Sequence, residues 1–502
     1  MTEEYAERNK CANYFRIVVL ALGGFYFGYY IACMNALTKP ILVGVLNYDS
    51  ESSTYTTLSG MVNFIFAIGA FTGVMITGNL ADKLGRRFWL YGGEILALLV
   101  IGIYMIGHIA ALLVARYFSG MVAGINISIF TVMLGEGLPN RLCGLGNGLG
   151  YIALTIGIVF SYLNQNIWDY SSITNYWRLF FIYPIAVSVF RLICFPFLFK
   201  KDTTKYVFIC STNLEAARPE VRECLRPVYA DSALDAVTEA TLHSLEREST
   251  KGKATAVTMF SKRYIRQLLS ACFVAFIQQW SGINFLIFYS TSLFDKLAGI
   301  GKEMALYIGL GNLVGGIIST ILITRSGRKP NLVYGCACEA VAWFLLLIAY
   351  KTSQVWLLVI ASLFYIITYA IGLGGTITAY VGEVLPPAGV GLAFGCQWVN
   401  IAITGLTFPF LTAAVGETAM IIGFGVISAL GAVGLFLWTI ETKNKSLEQV
   451  EEEFTKEKPA NSLPASPVRT EEANIIGRNG FNHPQTKKEG EFENNNLITG
   501  GK

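Results

Sequence analysis

Gly78-Asn79-Leu80-Ala81-Asp82-Lys83-Leu84-Gly85-Arg86-Arg87 is a short polar stretch between two long apolar runs. Its glycines permit a tight turn, and its cations bar it from any apolar interior. Its last three residues return about 240 positions later as Gly327-Arg328-Lys329. Working outward, Tyr91-Gly92 returns as Tyr334-Gly335, and Gly135-Glu136 as Gly382-Glu383. Asp202-Thr203-Thr204-Lys205 is echoed by Glu441-Thr442-Lys443. Four motifs in one order, all near one offset, make the chain a parallel repeat of two halves.

The runs between the motifs have membrane length. A spanning helix needs about 20 mainly apolar residues. Twelve such runs, called spans 1 to 12 below, cover 15–37, 57–80, 88–108, 110–134, 145–166, 178–199, 266–293, 303–324, 331–350, 354–382, 391–414 and 417–440. The fold class expected is an all-α integral membrane protein of two six-helix, pseudo-symmetric halves. The domains are 1–14 (N-terminus), 15–199 (first bundle), 200–262 (linker with short surface helices), 263–441 (second bundle) and 442–502 (mostly disordered tail). Leu234, Val237, Leu242 and Leu245 give the linker helical spacing. Parallel six-helix repeats are the plan of rocking transporters, with a site near the midplane between the halves.

Composition agrees. Hydrophobic residues make up 53% and charged residues 14%, where soluble domains run nearer a quarter charged. No basic stripe with aromatic interleaving suggests nucleic acid. His108, His243 and His483 lack metal-ligand spacing, so no metal and no cofactor is expected. No nucleophile–base pair or phosphate loop suggests an enzyme. Lys83, Arg86, Arg87, Arg325, Arg328 and Lys329 concentrate on one set of connections, which places those connections and both termini in the cytoplasm. The plasma membrane is the expected location, with the lipid bilayer as partner.

Three kinds of residue are singled out. Arg86 and Arg87 can pair with loop carboxylates such as Glu136, latching one conformation, while Asp82 can cap the start of span 3. Arg328 and Glu383 stand at the matching places of the repeat and are gating candidates with them. Span 7 carries Gln278-Gln279-Trp280-Ser281-Gly282-Ile283-Asn284. Three carboxamides in seven residues are costly in lipid without partners. They both donate and accept, as neutral hydroxyls require, but interhelical packing is the competing reading. Asn312, Gln397, Trp398 and Asn400 are open to the same two readings, with Trp398 suited to the apolar face of a sugar ring. Glu94 and Glu339 lie about two turns inside spans 3 and 9. They read either as solute or proton sites or as carboxylates paired with a loop arginine.

Residues 78–87, Arg116 with Gly120, Gly135-Glu136, Trp177-Arg178, Asp202 to Tyr206, Gln278 to Asn284, Gly327 to Lys329, Gly382-Glu383 and Glu441-Thr442-Lys443 stand in a familiar order. The chain resembles the sugar porters of the major facilitator superfamily, of the facilitative glucose-transporter type, over about residues 12–454. The resemblance implies a hexose bound by Gln278, Gln279, Asn284 and Asn312, with Gln397 as a further member. It also implies gating by Arg116 and by the loop motifs, Glu441 included. The chain departs from the family pattern at Tyr151, where many members place a glutamine, and at Gly372 to Thr378, a proline- and tryptophan-bearing stretch in the family. Cys143 and Val390 replace arginines, and Lys201 to Lys205 replaces Pro-Glu-Ser-Pro-Arg. Proton-coupled relatives carry an aspartate after Phe27-Gly28-Tyr29; here it is Tyr30. The expectation is therefore facilitative uniport of a small neutral sugar, glucose foremost. A proton-coupled sugar or polyol symporter and a non-transporting sugar sensor are the alternatives, and oligomeric state is left open.

Overall fold

The computed structural model describes residues 5–167, 176–211, 213–250, 257–443, 445 and 447–455. Its helices follow the apolar runs because a backbone in lipid must satisfy its own hydrogen bonds. Eleven helical runs among the described residues are long and apolar enough to cross a membrane. The last, Ala388–Trp438, is two spans, since Gly416 breaks it with φ 79°. The crossings therefore number twelve.

Several spans are interrupted. Span 1 consists of Lys10–Ala21 and Gly23–Lys39 and ends in a π turn, Pro40–Val45, well past the expected limit at 37. Span 7 is Ile265–Trp280 and Ile283–Ala298. Span 10 is Val355–Tyr369, a π turn Ala370–Gly374, and Gly375–Val384. The halves meet along three seams: span 1 against span 7, span 2 against span 11, and span 5 against span 8. Glycines allow some of the closest packing. A Cβ on Gly24 would stand 2.6 Å from the Gly150 carbonyl oxygen, so spans 1 and 5 touch backbone to backbone.

The bundle is apolar outside and holds its charges inside. Leu99, Ile193, Phe344, Ile360 and Leu430 are exposed, whereas Glu94, Arg116, Arg191 and Glu339 are buried. That inversion suits lipid.

Helices Thr204–Cys210, Leu214–Leu225 and Leu234–Thr250 lie at one end and bury Val207, Val221, Leu225, Leu234, Val237 and Leu242 together. The N-terminal segment lies on the same end, where Arg8 N–H donates to the Val228 carbonyl at 3.0 Å. A short helix, Leu447–Thr455, follows span 12 there and pairs with Arg263 through Glu451. It falls inside the segment read as a tail; residues 456–502 lie outside the described residues. This end is called the terminal face below.

Candidate functional site

Gly282 breaks span 7 in the middle of its carboxamide motif, with φ 105°. That left-handed conformation strains any residue with a Cβ. A break frees backbone carbonyls, and here Ser281 O is taken by Trp343 Nε1 at 2.7 Å and by the Tyr365 hydroxyl at 3.1 Å.

The motif's side chains form a ladder around the break. Gln278 Oε1 accepts from Gln279 Nε2 at 2.8 Å and from Gln397 Nε2 of span 11 at 2.7 Å. Gln278 Nε2 donates 3.1 Å to the Leu373 carbonyl, inside the π turn of span 10. Asn284 Nδ2 donates to Gln279 Oε1 at 2.9 Å and to Thr404 Oγ1 at 2.8 Å. Trp280 Nε1 donates to Asn400 Oδ1 at 2.9 Å. The ladder is uncharged and bonded within itself, buried at Gln278, Gln279, Asn284 and Thr404 and half-buried at Gln397, so a polyhydroxylated ring can replace its bonds one for one.

Asn312 sits apart, on span 8, and meets the first half: the Tyr151 hydroxyl donates to its Oδ1 at 3.3 Å. Trp398 is buried with its ring 5.0 Å from that of Phe27 and 6.4 Å from that of Phe66. The sequence reading passed over Thr404 and the Leu373 carbonyl. The glycine-rich run Gly372 to Gly375 was the available signal, since a π turn leaves carbonyls off the helical ladder.

The terminal face holds two matched clusters. Arg86 reaches Glu136 by Nε (2.9 Å) and Nη2 (2.8 Å), and Asp82 by Nη2 (2.7 Å). Arg328 Nη2 reaches Glu383 at 2.5 Å. Thr203 Oγ1 donates to Glu136, and Thr442 Oγ1 to Glu383, each at 2.6 Å. Asp82 does not cap span 3, contrary to expectation. One helical turn before Arg86, it faces the guanidinium instead. The cap comes from Asp202, which accepts from Arg86 N at 3.0 Å and Arg87 N at 3.1 Å. Glu441 does the same for Arg328 N (3.0 Å) and Lys329 N (3.2 Å). Burial pushes the Glu441 carboxyl up, but the N–H groups of Arg328, Lys443, Lys329 and Thr442 outweigh it and hold it below the ordinary range. The contribution of a depressed carboxyl is complete above its unfolded pKa, about 4.3, and fades only in acid below it. Arg87 turns outward and donates 2.7 Å to the Lys200 carbonyl.

Glu94, Arg116, Arg191 and Glu339 are charged residues within the membrane. Arg116 donates to the carbonyls of Tyr30 (2.7 Å) and Val62 (3.0 Å) and lies over the Phe66 ring. Glu94 pairs with Arg191 and accepts from Tyr26. Its cation thus comes from within span 6, not from a loop. Arg191 also donates 2.6 Å to Asn126 Oδ1. Glu339 is wholly buried and in no ion pair among the described residues; the Ser281 hydroxyl lies beside it without reaching hydrogen-bond geometry.

Hydrogen bonds across the seams include Asn35 to Ser290 (2.6 Å), Asn63 to Tyr289 (3.1 Å) and Tyr162 to the Ile287 carbonyl (2.9 Å). These lie away from the terminal face, while the arginine-cluster bonds given above each stay within one half. Sequence comparison matches residues 17–454 to the family described as "Sugar (and other) transporter". The chain belongs to this family. It is therefore a multi-pass membrane transporter of the sugar porter type. It is 27% identical to the glucose transporter GlcP of Staphylococcus epidermidis, an alignment spanning 88% of this chain and 98% of that one. It is 26% identical to human solute carrier family 2, facilitated glucose transporter member 4, over 86% and 89%. The proton:xylose symporter XylE, solved with 6-bromo-6-deoxy-D-glucose, superposes with a TM-score of 0.73 at 20% identity, covering 89% of this chain and all of that one. That likeness shows the major facilitator fold.

Proposed function

We propose that this sugar transporter moves a hexose, glucose foremost, down its gradient by alternating access. The carboxamide ladder at the break in span 7 carries the reading. It offers donors and acceptors without charge, at a helix break beside the seam between halves, which suits a neutral ring of hydroxyls. Gln278, Gln279, Asn284 and Gln397 bind the sugar; Asn312 and Trp398 close over it from either side. The arginine clusters, with Arg116, brace the halves as they rock. Both termini lie in the cytoplasm of a plasma-membrane protein. An epitope on the tail of intact cells is then spared by external protease, and its cleavage from outside reverses the orientation.

Uncoupled transport is supported by the surroundings of Arg116, whose named partners are carbonyls rather than a carboxylate. Its neighbour Tyr30 stands where proton-coupled members of the family carry an aspartate. Proton symport is the second reading, and the buried Glu339, in no described ion pair, favours it, since intramembrane carboxylates serve proton relays. Proteoliposomes under an inward proton gradient decide between them. Uniport predicts that a non-metabolised hexose analogue only equilibrates. Accumulation above the external level, abolished by a protonophore, establishes symport.

A further inference from the structure

On the terminal face of the first half, a cleft of about 510 Å³ opens between span 1, the end of span 4, the end of span 6 and the linker helices. Its floor is apolar, with Leu20, Met133 and Leu198. Its rim carries Arg8, Arg16, Lys200, Lys201 and Arg226. Two carboxylates also line it, and both are engaged. Asp202 accepts from Arg86 N, Arg87 N and Thr203 N. Glu223 pairs with Arg226 at 3.3 Å. The cleft is therefore left with a surplus of positive charge.

Arg16 decides what that surplus calls for. It is only 9% exposed, yet its partners are neutral: Asn13 Oδ1 at 2.7 Å, the Pro227 carbonyl at 3.1 Å and the Leu198 carbonyl at 3.5 Å. Among the described contacts Glu7 is joined to it through the Asn13 amide, which donates to Glu7 at 2.9 Å. A buried guanidinium without a counter-charge is costly. Arg8 bonds to the Arg226 carbonyl, and Lys200 and Lys201 stand exposed at the mouth. Beside them Phe197, also lining the cleft, is 73% exposed on span 6, on the bundle's apolar exterior. Cations beside an exposed aromatic at the end of a spanning helix match an amphiphile with an anionic head.

We propose that this cleft is a binding site for the phosphate headgroup of an anionic phospholipid of the adjoining leaflet. The headgroup supplies the counter-charge for Arg16, with Arg8, Lys200 and Lys201 around it, and the acyl chains leave along Phe197. The site is independent of the sugar reading, since none of its residues belongs to the span 7 ladder. Basic pockets at the ends of spanning helices are a recurring solution to headgroup recognition.

The full chain in nanodiscs of phosphatidylcholine, with and without a minor fraction of phosphatidylglycerol, provides the test. Retained lipid is counted by native mass spectrometry, and the unfolding midpoint is recorded. The wild type is expected to retain phosphatidylglycerol in preference and to unfold at a higher temperature with it. Lys200→Gln with Lys201→Gln should weaken retention roughly thirtyfold, each cation being worth about a factor of five near the surface. Arg16→Gln should lose it as well; if that variant does not fold, the lysine pair carries the test. Lys262→Gln, exposed on the same face outside the cleft, should retain the lipid. Equal loss in Lys262→Gln would mean diffuse attraction and overturn the site. So would no preference in the wild type. Glycerol phosphate in solution stabilising the protein as much as the lipid does would overturn the lipid as ligand.

Discussion

Arg86, at the start of span 3, is 2% exposed and makes three contacts to two carboxylates; Arg328, at the start of span 9, is 18% exposed and reaches one. The plan is common to both: a glycine at positive φ, an arginine, a Gly-Glu carboxylate, a threonine steadying it, and an acid capping the next helix. The filling differs because Asp82 has Thr324 as its counterpart. The contrast extends inward. The first half pairs its buried Glu94 with Arg191, while the second leaves Glu339 outside any described ion pair. Span 1 bends at Leu22 with φ −57°, while span 7 breaks at Gly282 with φ 105°. The first half carries the paired glutamate and the doubly held arginine, with a π turn at the end of span 1; the second carries the glycine break of span 7, the π turn of span 10 and the carboxamide ladder. The duplicated fold has thus set its tighter ion pairs on one side and the proposed binding carboxamides on the other.

The largest expected difference separates the two buried glutamates. Glu94→Gln removes the counter-charge of a fully buried Arg191 and should cost about 3 kcal/mol of stability. Glu339→Gln breaks no ion pair and should cost less, about 1 kcal/mol or under. Unfolding midpoints in detergent compare the two. Equal losses would show that Glu339 has a partner in the folded protein, and the contrast between halves would fail there.

The two arginine clusters come next. Arg86→Ala takes the two-pronged guanidinium from Glu136, 16% exposed, and should cost about 2–3 kcal/mol. Arg328→Ala removes a one-pronged pair with Glu383 and a bond to the Ile323 carbonyl at a more exposed site and should cost about 1–2 kcal/mol. Uptake should fall in both variants, more steeply for Arg86→Ala. A larger loss in Arg328→Ala would invert the assignment of the tightly fastened half.

The twelve crossings and their repeat were legible because lipid imposes length and hydropathy on each span. The Arg86–Glu136 contact was readable from its loop motif, and the structure repeats it as Arg328–Glu383 in the second half. Arg191 was missed because one cation in an apolar run carries no mark of its partner, and Glu94 is 97 residues away. Asp82 was misassigned for a related reason. It is near span 3 in sequence, but the N–H groups that need capping point across the turn at Asp202, 115 and 116 residues on. Type and approximate place of the polar residues were readable; their partners depend on how spans far apart in sequence come together. The ladder shows the same limit. Its members from span 7 stood in one motif, whereas Thr404 and the Leu373 carbonyl belong to spans whose approach only the fold reveals.

The smallest expected effect concerns the meeting of the halves at the proposed site. Gln279→Ala and Asn284→Ala each remove hydrogen bonds from the second half's ladder. A hydrogen bond to a sugar hydroxyl is worth about 1–1.5 kcal/mol, or roughly five- to tenfold in apparent affinity. For a carrier binding its solute at about millimolar strength, near −4 kcal/mol, that is a large share of the whole. Tyr151→Phe removes one long bond to Asn312 from the first half, at 3.3 Å. The ring remains against Gly316, so packing is kept. Its loss should be about 0.5 kcal/mol, near twofold. Uptake kinetics normalised to surface expression separate the three variants. If Tyr151→Phe cripples uptake while Gln279→Ala and Asn284→Ala leave it unchanged, recognition lies with the first half. The ladder is then interhelical packing, and the division between a bracing half and a binding half is reversed.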